Sequence, residues 1–365
     1  MHQLYVERYE PKKYIQWKAD KTTKFEINYE FYLHIFNSKF NLSFGKPKMD
    51  VCNTCDKFKN QIDVAENPEE KSRLNREHSL HLAKAQKFYD DLNQLSKKAK
   101  TDETVDVISF DYQQNLPVPV LPIVEGEKGA NETVSFLKHY VDSVINPSVK
   151  TLYIFTDNCV GQNKNMVVVQ MLSALVATGR FNIIYHRFPE RGHSFLPCDR
   201  KFALEKEKRK VTYLYLPEEW YSKVARTSQT FLVVNILPKM IRDFRSYFQP
   251  FFKKTIKNFT ITKYKTFKYE EKKITVSACH NIDTLNRTFI AFKPNADLIA
   301  LKEWTVPQLY ITKLPVNPKK LQNLRELLDF IPLAYHGFYV SLETQDGGEQ
   351  QQGESETEAS DSSDE

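Results

Sequence analysis

The chain has 365 residues, of which 41% are hydrophobic and 13% aromatic, enough apolar material for two or three compact units. No segment approaches the roughly 20 consecutive apolar residues that span a bilayer, and the N-terminus lacks the apolar stretch of a secretory signal, so we expect no membrane partner. Five cysteines, an odd number in a long chain, favour a reducing intracellular compartment over a disulfide framework.

The net charge of +6 is unevenly distributed along the chain. The segment 345–365 carries eight acidic residues and no Lys or Arg, which leaves +14 on residues 1–344. A body this basic suits a polyanion, so DNA is the expected partner, although Lys-rich surfaces also serve solubility alone. No small-molecule substrate is evident. The composition of 343–365 predicts a disordered acidic tail.

The N-terminal region, 1–100, is predicted to be helical. A short helix is expected over 29–36. Asn67-Pro68-Glu69-Glu70 is a typical helix start, and apolar residues then recur at three- and four-residue spacing, which predicts one long helix to about residue 98.

The next region, 101–216, alternates apolar strands with amphipathic helices, which predicts an α/β fold with a parallel sheet. The expected strands are 105–111, 150–157 and 181–188, and the expected helices are 131–145, 163–178 and 198–210. The C-terminal region, 217–342, is predicted to be mainly β, because basic and aromatic residues interleave over 251–273. A last helix is expected over 319–328.

Cysteine and histidine pairs occur in the N-terminal region at metal-ligand spacing. Cys52-x-x-Cys55 precedes His78-x-x-His81, and a cysteine pair on a turn with two histidines on a helix can wrap a structural Zn²⁺. The alternative is that both histidines pack on the apolar stripe of the long helix and that the cysteines are small buried residues. The remaining three cysteines show no ligand spacing, and we interpret them as structural.

Acidic residues follow the first two predicted strands. Asp111 and Asp157 would share one edge of a parallel sheet, where two carboxylates repel each other unless Mg²⁺ or Mn²⁺ neutralises them. A third acid, Asp199 or Glu205, could complete a site for in-line attack on a phosphodiester. The alternative is capping, since an aspartate after a strand often caps the next helix, and Asp199 in Pro197-Cys198-Asp199 is a natural N-cap. His193, in a loop, is a candidate proton shuttle or phosphate-orienting group.

Four segments in fixed order carry a resemblance: SFDYQQNLPVP, EKGANETVSFL, YIFTDNCVGQNKN and FPERGHSFLPCDRKFALEKE, beginning at residues 109, 127, 153 and 188. Together they resemble a poorly characterised family of transposable-element-derived animal proteins with an RNase H-like core of the DDE/DDD-transposase type. The resemblance implies that Asp111, Asp157 and Asp199 are the first, second and third acids, with Glu205 as the fallback for the third. It places His193 in the Gly-His segment ahead of the third acid.

The resemblance implies a Mg²⁺- or Mn²⁺-dependent nuclease or strand-transferase acting on DNA, in the nucleus rather than the cytoplasm. One departure matters, because only residues 116–126 separate the first strand from the KGANE segment. That is too short for the β2–β3 hairpin of an RNase H-like sheet, and without it the Asp111 strand becomes an edge. Two functions therefore stay open: an enzyme, or a non-catalytic domesticated module that binds nucleic acid or protein.

Overall fold

A computed structural model describes residues 2–39, 52–112, 128–208, 214–281, 284–311, 316 and 318–342, with the backbone alone over 203–208. The chain divides into two compact units, Met1–Asp50 and Val51–Glu365. The predicted acidic tail, 343–365, lies outside the described residues. The finer division at residues 100, 216 and 342 stays a prediction.

The described residues of the first unit form three helices: α1 (His2–Tyr9), α2 (Pro11–Asp20) and α3 (Tyr29–Lys39). Val6 of α1 is fully buried, and the His2 ring lies edge-on to aromatic rings before and within α3. The helix predicted over 29–36 is confirmed by α3 and extends three residues further.

The second unit begins with α4 (Asn53–Val64) and α5 (Pro68–Lys98). The predicted long helix is confirmed at both ends. The Asn67 side chain stabilises its start by accepting a hydrogen bond from the Glu69 amide at 2.8 Å. Acidic residues in the first turn also interact favourably with the positive end of the helix dipole. Its apolar stripe buries Leu74, Ala85, Phe88 and Leu92.

A six-stranded sheet forms the centre of this unit, with its strands in chain order. The strands are β1 (Val105–Ser109), β2 (Thr151–Phe155), β3 (Ile183–Arg187), β4 (Thr266–Glu270), β5 (Lys273–Ser277) and β6 (Arg287–Phe289). β1, β2 and β3 pair in parallel, as predicted, whereas β4, β5 and β6 extend the sheet by antiparallel pairing.

The parallel strands are connected by α6 (Ala130–Ser143) and α7 (Met166–Ala177), and α8 (Pro197–Lys208) follows β3. Successive residues of a strand face opposite sides of a sheet. On one side Leu152 and Ile154 belong to the large core that includes α6 and α7, and on the other Tyr153 and Phe155 pack with α5. The result is a sheet covered by helices on both faces.

A buried ion pair fastens α5 to the sheet. The Arg187 guanidinium on β3 donates to the Asp91 carboxylate on α5, and Arg187 is 1% exposed. The Phe88 and Phe155 rings meet edge to face beside it, with centroids 5.2 Å apart. These contacts set the position of α5 relative to the ends of the strands.

The C-terminal region corrects the prediction of a mainly β structure. Its helices are α9 (Pro217–Thr227), α10 (Phe244–Phe248), α11 (Leu298–Lys302), α12 (Pro318–Glu326) and α13 (His336–Val340), and its strands complete the central sheet. The basic and aromatic segment begins as irregular backbone, in which Phe251 and Phe252 are buried in the large core. The aromatic side chains there anchor a loop to the core. The alternation of basic and aromatic residues along the sequence does not by itself distinguish such a loop from a strand. The predicted last helix is confirmed by α12.

β1 lies at one end of the strand order. The predicted lack of a hairpin after β1 concerns residues 113–127, which lie outside the described residues. Among the residues that the structure describes, no helix is both long and apolar enough to cross a membrane.

Candidate functional site

A cluster of two cysteines and two histidines brings three distant parts of the chain together. Cys52 precedes α4, Cys55 lies in its first turn, His81 is in the middle of α5, and His193 lies in the loop between β3 and α8. One ligand atom from each of the four lies within 4.8 Å of all the others. The burial of both cysteines keeps this cluster largely away from solvent.

The distances in the cluster match those around a tetrahedral ion. The His81 and His193 Nε2 atoms lie 3.2 Å apart, Cys52 Sγ is 3.2 Å from His81 Nε2, and Cys55 Sγ is 3.4 Å from His193 Nε2. A zinc ion with Zn–S of about 2.3 Å and Zn–N of about 2.0 Å holds its ligand atoms about 3.3–3.8 Å apart. The Cys₂His₂ cluster can therefore hold a metal ion without rearrangement of its backbone.

The electrostatics of the cluster favour the metal-binding form of its histidine. Burial, and then the proximity of His81, lower the pKa of His193, which favours the neutral ring that can offer a lone pair to a metal ion. Burial and the neighbouring Cys52 thiol raise the pKa of Cys55. A divalent cation between these groups would reverse that effect, because it stabilises thiolates.

His78 is not a member of this cluster, which corrects the ligand set predicted from the sequence. The His78 ring stacks on Phe58 with centroids 5.5 Å apart, and its Nε2 is buried without a hydrogen-bond partner among the described residues. The fourth position is occupied by His193, which the sequence suggested only as a candidate proton shuttle or phosphate-orienting group. Spacing along the chain favoured the nearer histidine, whereas folding brings in a residue more than a hundred positions away.

Gly192 permits the close approach of the His193 loop to α4. Its φ is +74°, and a Cβ at this position would lie 2.4 Å from the Cys52 Cα. Tyr89 on α5 secures the same loop, because its hydroxyl donates to the His193 carbonyl and accepts from the Phe195 amide, the latter at 3.0 Å. The sequence did not predict the role of Gly192 or that of Tyr89. The one signal available for the glycine was its position directly before a candidate histidine.

The three predicted acids come from three elements at one edge of the sheet. Ser109 and Phe155 are in register at the ends of β1 and β2, and Asp111 and Asp157 each lie two residues further on. Asp199 is the third residue of α8, and its carboxylate accepts a hydrogen bond from the Leu196 amide at 2.7 Å. It therefore supports the helix start from the N3 position, and not from the N-cap position that the alternative interpretation expected. Glu205 lies in α8, with its side chain outside the described residues.

The carboxylates affect one another electrostatically. Burial raises the pKa of Asp111 to about 6, and the negative charges of Asp157 and then Asp199 contribute in the same direction. Burial, Asp199 and Asp111 together raise the pKa of Cys198 to about 12. Among the described residues the Cys/His cluster is the only set of three or more such ligands within 4.8 Å, so the three carboxylates are more widely spaced than its members.

Asn163 connects the first two acids, and no sequence motif predicted this. It is completely buried, its Nδ2 donates to Asp157 at 2.6 Å, and its side chain also acts on Asp111, whose pKa it lowers. Its Oδ1 has no hydrogen-bond partner among the described residues. An amide oxygen is a ligand that hard divalent cations accept.

A buried lysine anchors the loop after β2. Lys164 is 2% exposed, donates to Asn158 Oδ1 at 2.9 Å and lies over the Phe188 ring. Burial, with repulsion from Lys265 and Arg191, lowers the pKa of Lys164 to about 7. Because this loop also carries Asp157, the contacts hold that carboxylate in place.

Comparison with known proteins covers the α/β part of the chain. Residues 108–283 match the family model described as a domain of unknown function, DUF7869. The matched stretch contains the three aspartates and His193, while the other three members of the Cys/His cluster precede it. No curated protein and no solved structure matches the chain.

Proposed function

We propose that this chain acts on DNA as a divalent-metal-dependent nuclease or strand-transferase, with Asp111, Asp157 and Asp199 as its metal-binding carboxylates. The observation that carries the proposal is the meeting of acids from three separate elements at one edge of the sheet, where burial, and then the charges of Asp157 and Asp199, raise the pKa of Asp111 to about 6. A group of acids that destabilise one another without a cation is typical of sites built for catalysis. The charge of +14 on residues 1–344 suits a polyanionic substrate.

The chain's own groups would bind and orient the reacting phosphodiester. Asp111 and Asp157 offer oxygen ligands from neighbouring strands, and the buried Asn163 amide holds Asp157 in position. Mg²⁺ or Mn²⁺ bound there would stabilise the attacking and leaving oxygens of an in-line displacement. The parallel order of β1, β2 and β3 supports the RNase H-like, transposase-type core that the sequence resembles. DNA as the substrate would also favour a nuclear location.

The Cys/His cluster is proposed to hold a structural Zn²⁺. Two thiolates and two imidazoles in a tetrahedral arrangement suit zinc, and four protein ligands leave no open position for catalysis. The ion would join α4 and α5 to the loop that leads into α8. Because only five residues lie between His193 and Asp199, the same ion would also help to position the third acid.

A non-catalytic binding module is the second candidate. The observation that favours it is the wider spacing of the carboxylates compared with the Cys/His cluster among the described residues. In that case the zinc-stabilised basic body would bind DNA or a protein through its surface alone.

The test is a thermal-unfolding titration of the full chain with Mn²⁺, because a ligand that binds only the folded state raises its stability. We expect a shift in the wild type that is lost in Asp157→Asn and kept in Asp142→Asn, a matched change at an exposed acid on α6. Mn²⁺-dependent cleavage of a labelled DNA duplex and single strand would then follow. No shift in the wild type would overturn the catalytic proposal in favour of the binding module.

A further inference from the structure

A cavity of about 620 Å³ lies beside the carboxylates. It is lined by residues of β1 and α6 and by Phe202 in the middle of α8, and Asp111 is part of its wall. Its volume is in the range of sites that enclose a small molecule or one unit of a polymer, roughly 300–1,000 Å³. None of the chemistry described above uses this space.

Aromatic rings make up much of the wall. The five that line the cavity are Phe110, Tyr112, Phe136, Tyr140 and Phe202. The Tyr112 and Phe136 ring centroids are 6.1 Å apart, and the Tyr112 hydroxyl accepts a hydrogen bond from Thr133 Oγ1 at 3.3 Å. Flat apolar faces with a few polar groups among them favour a planar, partly polar ring as the occupant.

The charges at this end of the sheet indicate what such a ring would be attached to. Lys128 lies 5.8 Å from the centre of the Tyr112 ring, and it also interacts electrostatically with Asp111. A cation and a metal-binding carboxylate next to an aromatic cavity are complementary to a nucleotide, whose base is planar and whose phosphate is anionic.

We infer that this cavity binds a nucleobase unstacked from a DNA strand, while the adjoining phosphodiester lies at the carboxylates. The inference rests on the proposed function, since it takes the acids as the place where the phosphate binds. It adds a preference in substrate. Single-stranded or distorted DNA gives up a base at the least cost, so such strands should bind better than intact duplex.

The experiment measures binding of the full chain to a short single-stranded DNA with Ca²⁺ in place of Mg²⁺ or Mn²⁺, so that a hard cation can lie between the carboxylates and the phosphate. A series of these oligonucleotides carries one 2-aminopurine at successive positions, and fluorescence anisotropy of an end label gives the affinity. We expect one position whose 2-aminopurine fluorescence changes on binding while its neighbours change little. Loss of a stacking ring should weaken binding by roughly 5- to 150-fold.

Two variants test the wall of the cavity. Tyr140→Ala removes a ring that is 39% exposed, and Phe136→Leu keeps apolar bulk but removes an aromatic face. The control is Phe330→Ala, at an aromatic residue that is 80% exposed and does not line the cavity. We expect both cavity variants to weaken binding and to abolish the position-specific fluorescence change, and the control to do neither.

Unchanged affinity and fluorescence in both cavity variants would overturn the inference. So would displacement of the oligonucleotide signal by an apolar dye but not by excess nucleotide, which would indicate a general apolar cavity. The Mn²⁺ titration separates the two proposals: a shift that depends on Asp157, together with unaffected cavity variants, would leave the proposed function intact and remove the base site alone.

Discussion

Replacing His193 should release the metal from the Cys/His cluster, whereas replacing His78 should not. The structure places the His193 Nε2 3.2 Å from that of His81 and 3.4 Å from Cys55 Sγ, while the His78 ring stacks on Phe58. The sequence alone favours the opposite result, because His78 is nearer to the cysteines along the chain. The pair His193→Ala and His78→Ala therefore distinguishes the two ligand sets.

The expected magnitude follows from linkage between binding and folding. A free zinc concentration 100 to 1,000 times the dissociation constant stabilises the folded state by about 2.7–4.1 kcal/mol. For the second unit, Val51–Glu365, each kcal/mol corresponds to roughly 1.5 °C in Tm, so His193→Ala should lower Tm by about 4–6 °C. His78→Ala loses a ring stack alone and should cost about 1 kcal/mol.

The assay is metal content per chain after dialysis, together with the absorption spectrum of the Co²⁺-substituted protein. We expect one zinc per wild-type chain and the intense visible bands of a tetrahedral site with thiolate ligands. His78→Ala should keep both, and His193→Ala should lose both. Equal loss in the two variants, or a wild-type chain that binds no zinc, would refute the reasoning.

Three further predictions concern the loop, the buried ion pair and the acids. Gly192→Ala should reduce the metal content nearly as much as loss of a ligand, because the new Cβ would lie 2.4 Å from the Cys52 Cα. Metal analysis of the variant checks this prediction, and full zinc occupancy would contradict it. Asp91→Ala should destabilise the fold by about 3–5 kcal/mol, because Arg187 is left buried and unpaired. The control is Lys87→Ala, at a half-exposed partner of the same carboxylate, which should cost at most about 1 kcal/mol. Denaturant unfolding measures both free energies. Asp111 has a pKa of about 6 in the folded state against 3.8 as its ordinary value, so the folded state binds the proton more tightly and its stability falls as pH rises from 4 to 6. Asp111→Asn should accordingly raise Tm at pH 7.5 without added divalent metal and have little effect at pH 4, and a lower Tm at pH 7.5 would count against it.

The two candidate sites are connected through one short segment. His193 belongs to the Cys/His cluster, and Asp199, six residues later, belongs to the acids. Tyr89 holds the intervening loop at the His193 carbonyl and the Phe195 amide. Removal of the metal is therefore expected to make Asp199 more mobile, together with α4 and α5.

Local patterns along the chain were sufficient to predict its main elements. The apolar stripe and the capped start of α5, the apolar runs of β1, β2 and β3, and the helices between them all depend on residues near one another in sequence. The positions of Asp111 and Asp157 could be predicted for the same reason, since the ends of neighbouring parallel strands meet at one edge.

Tertiary structure alone decided the rest, because long-range contacts carry no signal in spacing. The sequence does not indicate that His193 takes the place expected for His78, or that Gly192 must pass against Cys52. The aromatic segment around Phe251 has the alternation of a strand, yet the core takes its rings from irregular backbone. Periodicity reports which faces are apolar, and only packing determines which distant side chains those faces bring together.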